Sequence, residues 1–304
     1  MIRVGAMFRC LLPPERLIPF ARLVDGLGLD ELWLVEDCFW AGGIASTATA
    51  LAVTERVTVG LGVAPAVVRN PAVLAMEFAA LARLHPARLV AGIGHGVQTW
   101  MSQIGARAPS PLAALGETID VVRRLLRGES VDVDGRHVHL ADVGLVFPAH
   151  DPPPVLAGVT GPRSLALAGT VADGVLLPEY SSPAYIEAAR RLMANSGASV
   201  TTYAWFHVDD DRETARATVR RALTPTSSLD AQLAPLGLTA RDIASSVPDD
   251  VLDQLAVVGT PRECAAAISA LHDAGADSIV VIPALDDAEN QVSRLAREVV
   301  PLLG

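Results

Sequence analysis

Apolar strand-like runs alternate with amphipathic helical stretches along almost the whole chain, and this alternation limits its folds more than any other feature. Eight strand-like runs are read at Ile2–Phe8, Glu31–Val35, Val57–Val63, Arg88–Ile93, Pro154–Gly158, Gly174–Leu177, Thr201–Val208 and Ser278–Ile282. Helix-like stretches lie between and after them, at Pro14–Leu27, Pro71–Leu84, Ser164–Val171, Pro183–Ala194, Pro261–Ala274 and Asp286–Leu303. Several begin with Pro in the first turn or end at Gly, as helix termini prefer. Unbroken βα alternation requires a parallel sheet, either closed into a barrel or doubly wound. A dinucleotide-binding sheet needs a G-x-G-x-x-G turn after its first strand, but here that strand runs into Met7-Phe8-Arg9-Cys10. Eight units in 304 residues therefore predict an α/β fold, a (β/α)8 TIM barrel forming one domain over residues 1–304.

Two stretches interrupt the pattern, at about 129–150 and about 210–255. Within the first, Ser130–Leu140 reads as a hairpin turning at Asp134-Gly135. Within the second, Thr224–Leu255 reads as a polar, Ala- and Pro-rich helical insertion. Both are expected as insertions at the C-terminal face, where either could cover the barrel mouth.

Composition excludes several functions. The net charge of −10 argues against nucleic acid and against an anionic membrane surface as partners. No apolar run reaches the length of a membrane span, and Met1 leads directly into a strand-like segment bearing Arg3 and Arg9, so a cytoplasmic location is expected. The 24 Lys and Arg positions are all Arg. Without lysine, Schiff-base aldolase, pyridoxal-phosphate and P-loop chemistries are excluded. Cys10, Cys38 and Cys264 have no paired spacing, so neither a zinc site nor a disulfide framework is expected.

Barrel chemistry gathers at the C-terminal ends of the strands. Those ends read Arg9-Cys10, Asp37-Cys38, Gly60 to Val63, Gly94-His95-Gly96, Gly158 to Gly161, Pro178-Glu179-Tyr180, His207 to Asp209 and Pro283. In Gly158–Arg163, a glycine turn opens a helix at Pro162 and Arg163 adds charge, a pattern that suits a phosphate but equally makes a tight βα turn. His137 and His139 form an H-x-H pair; its place in a hairpin, away from the strand ends, reads as exposed packing, and no metal site is expected.

Five ordered segments resemble the luciferase-like flavin- and deazaflavin-dependent oxidoreductases: "GLDELWLVED" (28–37), "VTVGLGVAPAVVRNPAVLAMEFAAL" (57–81), "RLVAGIGHG" (88–96), "PVLAGVTGPRSLALAGTVADGVLLP" (154–178) and "VVGTPRECAAAISALHDAGADSIVVIPAL" (257–285). Methylenetetrahydromethanopterin reductase-type members are among those it is similar to. The resemblance implies a deazaflavin, coenzyme F420, lying across the barrel mouth and exchanging a hydride at C5, with flavin mononucleotide (FMN) as the alternative cofactor. It also implies a non-prolyl cis peptide at Gly62–Val63 behind the ring. The cofactor contacts expected from the resemblance and the strand ends are Asp37, Cys38, Leu61, Gly62, Val63, Gly94, His95, Gly96, Gly158, Thr160, Gly161, Pro162 and Arg163.

The departures from the family pattern also carry information. Sugar-phosphate dehydrogenases of the family end the second strand in Asp-His, where the His takes the hydroxyl proton; here the pair is Asp37-Cys38. Their acid after the fourth-strand glycines falls on Val97. Reduction of a C=C or C=N bond asks less of the protein: orientation, a dry pocket and one proton donor. His95 and Glu179 are the expected catalytic residues, with Tyr180 and His207 as weaker candidates. The bland readings are a loop contact for His95, a helix-start charge for Glu179 and a cap on the Gly43–Thr54 helix for Asp37. The expected partner is a small-molecule or peptide-derived organic substrate, and family habit suggests a homodimer. The Lys-free, Ala- and Val-rich composition resembles proteins of high-GC bacteria, where such enzymes tailor specialised metabolites. The alternatives are an FMN-dependent monooxygenase and a degenerate barrel that only binds a ligand.

Overall fold

The computed structural model describes residues 2–194, 197–223, 229–244 and 246–303. Eleven strands are present among them: β1 (Arg3–Met7), β2 (Glu31–Leu34), β3 (Thr58–Pro65), β4 (Leu89–Gly94), β5 (Val131–Asp134), β6 (His139–Val143), β7 (Val155–Gly158), β8 (Gly174–Leu177), β9 (Ser199–Val208), β10 (Ala256–Gly259) and β11 (Ser278–Pro283). The parallel order β1-β2-β3-β4-β7-β8-β9-β11 closes on itself through β11–β1 and β8–β9 pairing, giving the eight-stranded barrel.

The helices between the strands start where their sequences provide caps. Asn70 accepts from the Ala72 amide ahead of Pro71–Leu84, and Ser182 accepts from the Tyr185 amide ahead of Pro183–Met193. Thr260 and Glu263 form a capping box before Pro261–Asp273. Each cap gives an acceptor to an amide that has no intrahelical partner.

The apolar side chains divide into two layers. One lies between the outer strand faces and the helices and includes Phe20, Leu51, Phe78 and Ile119. The other fills the barrel and includes Trp33, Leu176, Tyr203, Trp205 and Val280. Trp33 needs a gap opposite it: a Cβ on Gly60 would lie 2.4 Å from its ring. Below it, buried Glu31 accepts from Trp33 Nε1 at 2.6 Å and from Ser278 Oγ at 2.7 Å, which satisfies a carboxylate that would otherwise be costly to bury.

The fold differs from the sequence expectation in three places. Ala256–Gly259, read as lying between an insertion and a helix, is a ninth parallel strand. Four-residue β8 pairs only with Ser199–Thr202 of β9, and β10 takes the exposed edge of Trp205–Val208. The hairpin of β5 and β6 is where it was expected but lies against the outer helices, not at the mouth. Glu117, on the helix Pro111–Leu126, accepts from the amides of Arg136, His137 and Val138. The second insertion has residues 224–228 and 245 outside the described residues. Its described part puts Leu233, Ile243, Leu252 and Leu255 into the same apolar layer as Tyr203 and Trp205. It extends the barrel core at the C-terminal face, and none of its described residues lines the mouth cavity.

Candidate active site

A cavity of about 430 Å³ opens at the C-terminal end of the barrel. Its floor and walls are largely apolar, with Met7, Val35, Leu176, Tyr203, Trp205 and Ile282 among them. Its polar groups come from different strand ends: Arg9 and Cys10 after β1, Asp37 after β2, His95 after β4, Thr160 after β7 and Glu179 after β8. An apolar body with a few convergent polar groups is the usual form of a small-molecule site. A side groove of about 180 Å³ shares Asp37, Val63, His95, Val97 and Gly158 with the cavity and extends to Glu36, Gly96 and Trp100. Exposed Phe39, Trp40 and Val97 lie near the opening, with Trp40 edge-on to Trp100 at 5.9 Å.

The wall at β3 is a bulge. Leu61 pairs with Ala91 and Ala64 with Ile93, so Gly62 and Val63 together oppose Gly92. The Gly62–Val63 peptide is cis, as the resemblance implied; a second non-prolyl cis peptide joins Cys38 and Phe39. Val63 rests on two glycines: a Cβ on Gly94 would lie 2.6 Å from Val63 Cγ2, and one on Gly158 would lie 2.5 Å from Val63 Cγ1. Tyr203 Oη donates to the Gly62 carbonyl at 3.3 Å.

The acids share the cavity. Burial raises the Glu179 carboxyl above its usual range; nearby Asp37 adds to the shift and Arg9 opposes it. Burial also raises Asp37, against the hydrogen bond it accepts from Cys10 Sγ at 3.3 Å. The Cys10 thiol is pushed up to about 12, by burial first and then by Asp37, so it stays protonated and is no nucleophile. Buried Tyr203 is held well above the usual phenol range.

The structure brings together seven of the expected site residues around the cavity: Asp37, Gly62, Val63, His95, Gly158, Thr160 and Glu179. Gly96 lines the side groove. His95 sits in the wall with both ring nitrogens engaged, Nδ1 3.3 Å from the Pro111 carbonyl and Nε2 3.2 Å from Ser164 Oγ. With Nδ1–H donating to the carbonyl, Nε2 accepts from the serine, and burial favours this neutral form. Both ring nitrogens of His95 are therefore engaged in the cavity wall.

Other expected contacts lie elsewhere. Leu61 points out of the barrel, where a Cβ on Gly43 would be 2.7 Å from its Cδ1, because strand side chains alternate faces. Gly94 supports Val63 from behind and does not line the cavity. Cys38 misses it because the chain turns there, with the Trp40 amide donating to the Asp37 carbonyl. Gly161, Pro162 and Arg163 form the start of the helix Pro162–Val171, outside both cavities. Tyr180 is buried with φ 68° and His207 is buried beyond the cavity. His139 lies against Asp134 in the hairpin.

Several residues that shape the site were not among the expected contacts. Arg9 and Cys10, read only as the end of the first strand, line it, as do Tyr203 and Trp205. Glu36, rather than Asp37, caps the helix Gly43–Val53 by accepting from the Gly43 amide at 2.9 Å, and it also pairs with Arg69 through both oxygens. Inward alternation on β9 could have revealed Tyr203 and Trp205. The long-range Glu36–Arg69 pair has no local signal.

Known proteins are similar to this chain along most of its length. The family described as luciferase-like monooxygenase matches residues 4–278. A 5,10-methylenetetrahydromethanopterin reductase of Methanolobus tindarius is 29% identical over 318 residues, covering 95% of this chain and 96% of the relative. An F420-dependent glucose-6-phosphate dehydrogenase of Kineococcus radiotolerans is 28% identical over 325 residues, covering 95% and 93%. The solved F420-dependent tetrahydromethanopterin reductase of Methanopyrus kandleri superposes with a TM-score of 0.86 over 100% of this chain and 99% of its own, at 19% identity, a likeness of fold.

Proposed function

Because the chain belongs to the luciferase-like monooxygenase family, we propose that this oxidoreductase uses coenzyme F420 and works as a reductase on a C=C or C=N bond of a small or medium organic substrate. When bound, the reduced coenzyme supplies the hydride. The protein must then orient both reactants, exclude water and furnish one proton. The residues present fit a deazaflavin. The Val63 bulge offers an apolar face beside Asp37, His95, Gly158 and Thr160. The helix Pro162–Val171 starts at Gly161 with no side-chain cap, and Arg163 is exposed and has no partner among the described residues. Uncapped first-turn amides and a free guanidinium suit a phosphate-bearing tail.

The observation that carries the reading is Glu179. It lines the same cavity as Val63, and burial raises its carboxyl above the usual range, which favours the proton-bearing form. It can give its proton to the atom next to the one that receives hydride, then regain a proton from solvent. Oxidation of an alcohol would instead need a base, and the histidine in the cavity wall, His95, has both nitrogens occupied. Cys38 stands where related dehydrogenases carry histidine.

Fluorescence titration of the purified protein with F420 and, separately, with FMN tests the cofactor. Tight binding of the deazaflavin, followed by substrate-dependent oxidation of its reduced form, is the expected result. Preference for FMN moves the reading to a monooxygenase, and binding of neither moves it to a ligand-binding barrel.

A further inference from the structure

Arg9 is unlike the other arginines of this chain. Among the described residues, each other arginine that is even partly shielded from solvent carries a hydrogen bond or ion pair, as Arg69 does with Glu36, Arg88 with Thr54 and Val57, and Arg216 with Asp253. Those without a partner are all exposed. Arg9 is half-buried in the wall of the mouth cavity and has neither. Its guanidinium lies 5.0 Å from the centre of the Trp205 ring, a cation–π contact that holds the charge in place while leaving its N–H donors without acceptors among the described residues. Burial lowers its pKa, and the opposing effects of Cys10 and Glu179 are smaller. Glu179 lies near but makes no ion pair with it.

A shielded, prepositioned guanidinium with no acceptor is built to receive one. We propose that Arg9 anchors a carboxylate of the substrate, so that the natural substrates are organic acids. This inference rests on the reading of the cavity as a reductase site. The planar fork of arginine matches a carboxylate through two parallel hydrogen bonds. Among the described residues that line the cavity Arg9 is the one arginine, and Asp37 shares the space, so a monoanion is matched better than a phosphate dianion. The apolar remainder, with Met7, Leu176 and Ile282, accommodates a hydrocarbon body. An acid held at Arg9 keeps its reducible bond within the cavity that Val63 and Glu179 share.

The test is calorimetric titration of the whole chain, with and without F420, against matched acids and primary amides: cinnamate with cinnamamide, hexanoate with hexanamide, and 4-phenylbutanoate with its amide. At least one acid is expected to bind tenfold or more tightly than its amide. Arg9→Gln should abolish that preference and Arg9→Lys should keep part of it. Equal binding of every acid and amide, or a preference that survives Arg9→Gln, overturns the proposal. Equal binding by the wild type overturns the proposal even if a variant fails to fold, and Arg9→Lys gives a second variant through which a preference is assigned to Arg9. Acid preference without F420 binding leaves the anchor and removes the reductase reading; F420 binding without acid preference does the reverse.

Discussion

Tyr203 Oη donates to the Gly62 carbonyl at 3.3 Å, tying β9 to the bulge of β3 through the inside of the barrel. The same ring meets Trp33 edge to face, with centroids 5.8 Å apart. The wall behind the expected ring site is thus fixed by a residue 141 positions away in sequence.

Tyr203→Phe should keep the ring contact and leave a buried carbonyl without its donor. The expected loss is about 1 kcal/mol of stability, read from urea unfolding, together with weaker deazaflavin binding. Unchanged stability and affinity would show that this bond does not fix the bulge.

Gly158→Ala places a methyl 2.5 Å from Val63 Cγ1. Overpacking of this kind costs about 1–3 kcal/mol, and displaced Val63 should weaken F420 binding. Adding Val63→Ala should recover much of the lost stability, because it removes the clashing methyls. Thermal unfolding of the single and double variants checks this.

Glu179→Gln keeps the shape of the side chain and removes its proton. Turnover should fall by about 100-fold or more, with F420 affinity little changed. In the wild type, the donating form is lost as pH rises through the raised pKa, so kcat should fall on that side. Stability should follow the same sign. Between the ordinary glutamate pKa and the raised one, the folded state holds more protons than the unfolded state, so stability drops as pH rises. Glu179→Gln should flatten that slope, which denaturant titrations across pH will measure.

Glu36→Ala removes the cap from Gly43 and leaves the Arg69 side chain, 22% exposed, with only Glu77 at 3.3 Å among the described residues. Stability should fall by about 3 kcal/mol. Glu36→Gln, which can still cap the helix, should cost less; equal losses would make the charge pair, not the cap, the source.

Much of the barrel was legible because strands and helices have different hydrophobic periods, and glycine and proline mark the joins. Ala256–Gly259 was missed because four apolar residues are too few for periodicity to classify, although the Val258-Gly259-Thr260-Pro261 run repeats the strand-to-helix turn seen before Pro162. Within the site, Asp37, Val63 and Glu179 were accessible from strand ends. His95 was assigned a proton-donating role, yet both its ring nitrogens are engaged, by Pro111 and Ser164. Arg163, read as the charge of an anion site among the cofactor contacts, stands at the start of a helix outside the cavity.

The sequence by itself determined that parallel strands close into a barrel, and that chemistry collects at their C-terminal ends, because these follow from local period and chain connectivity. Only the tertiary structure decided which side chains share the cavity and in what protonation state. Arg9, Tyr203 and Trp205 meet Asp37 and Glu179 from strands far apart in sequence, and burial, a property of the assembled barrel, sets how readily each gives up its proton.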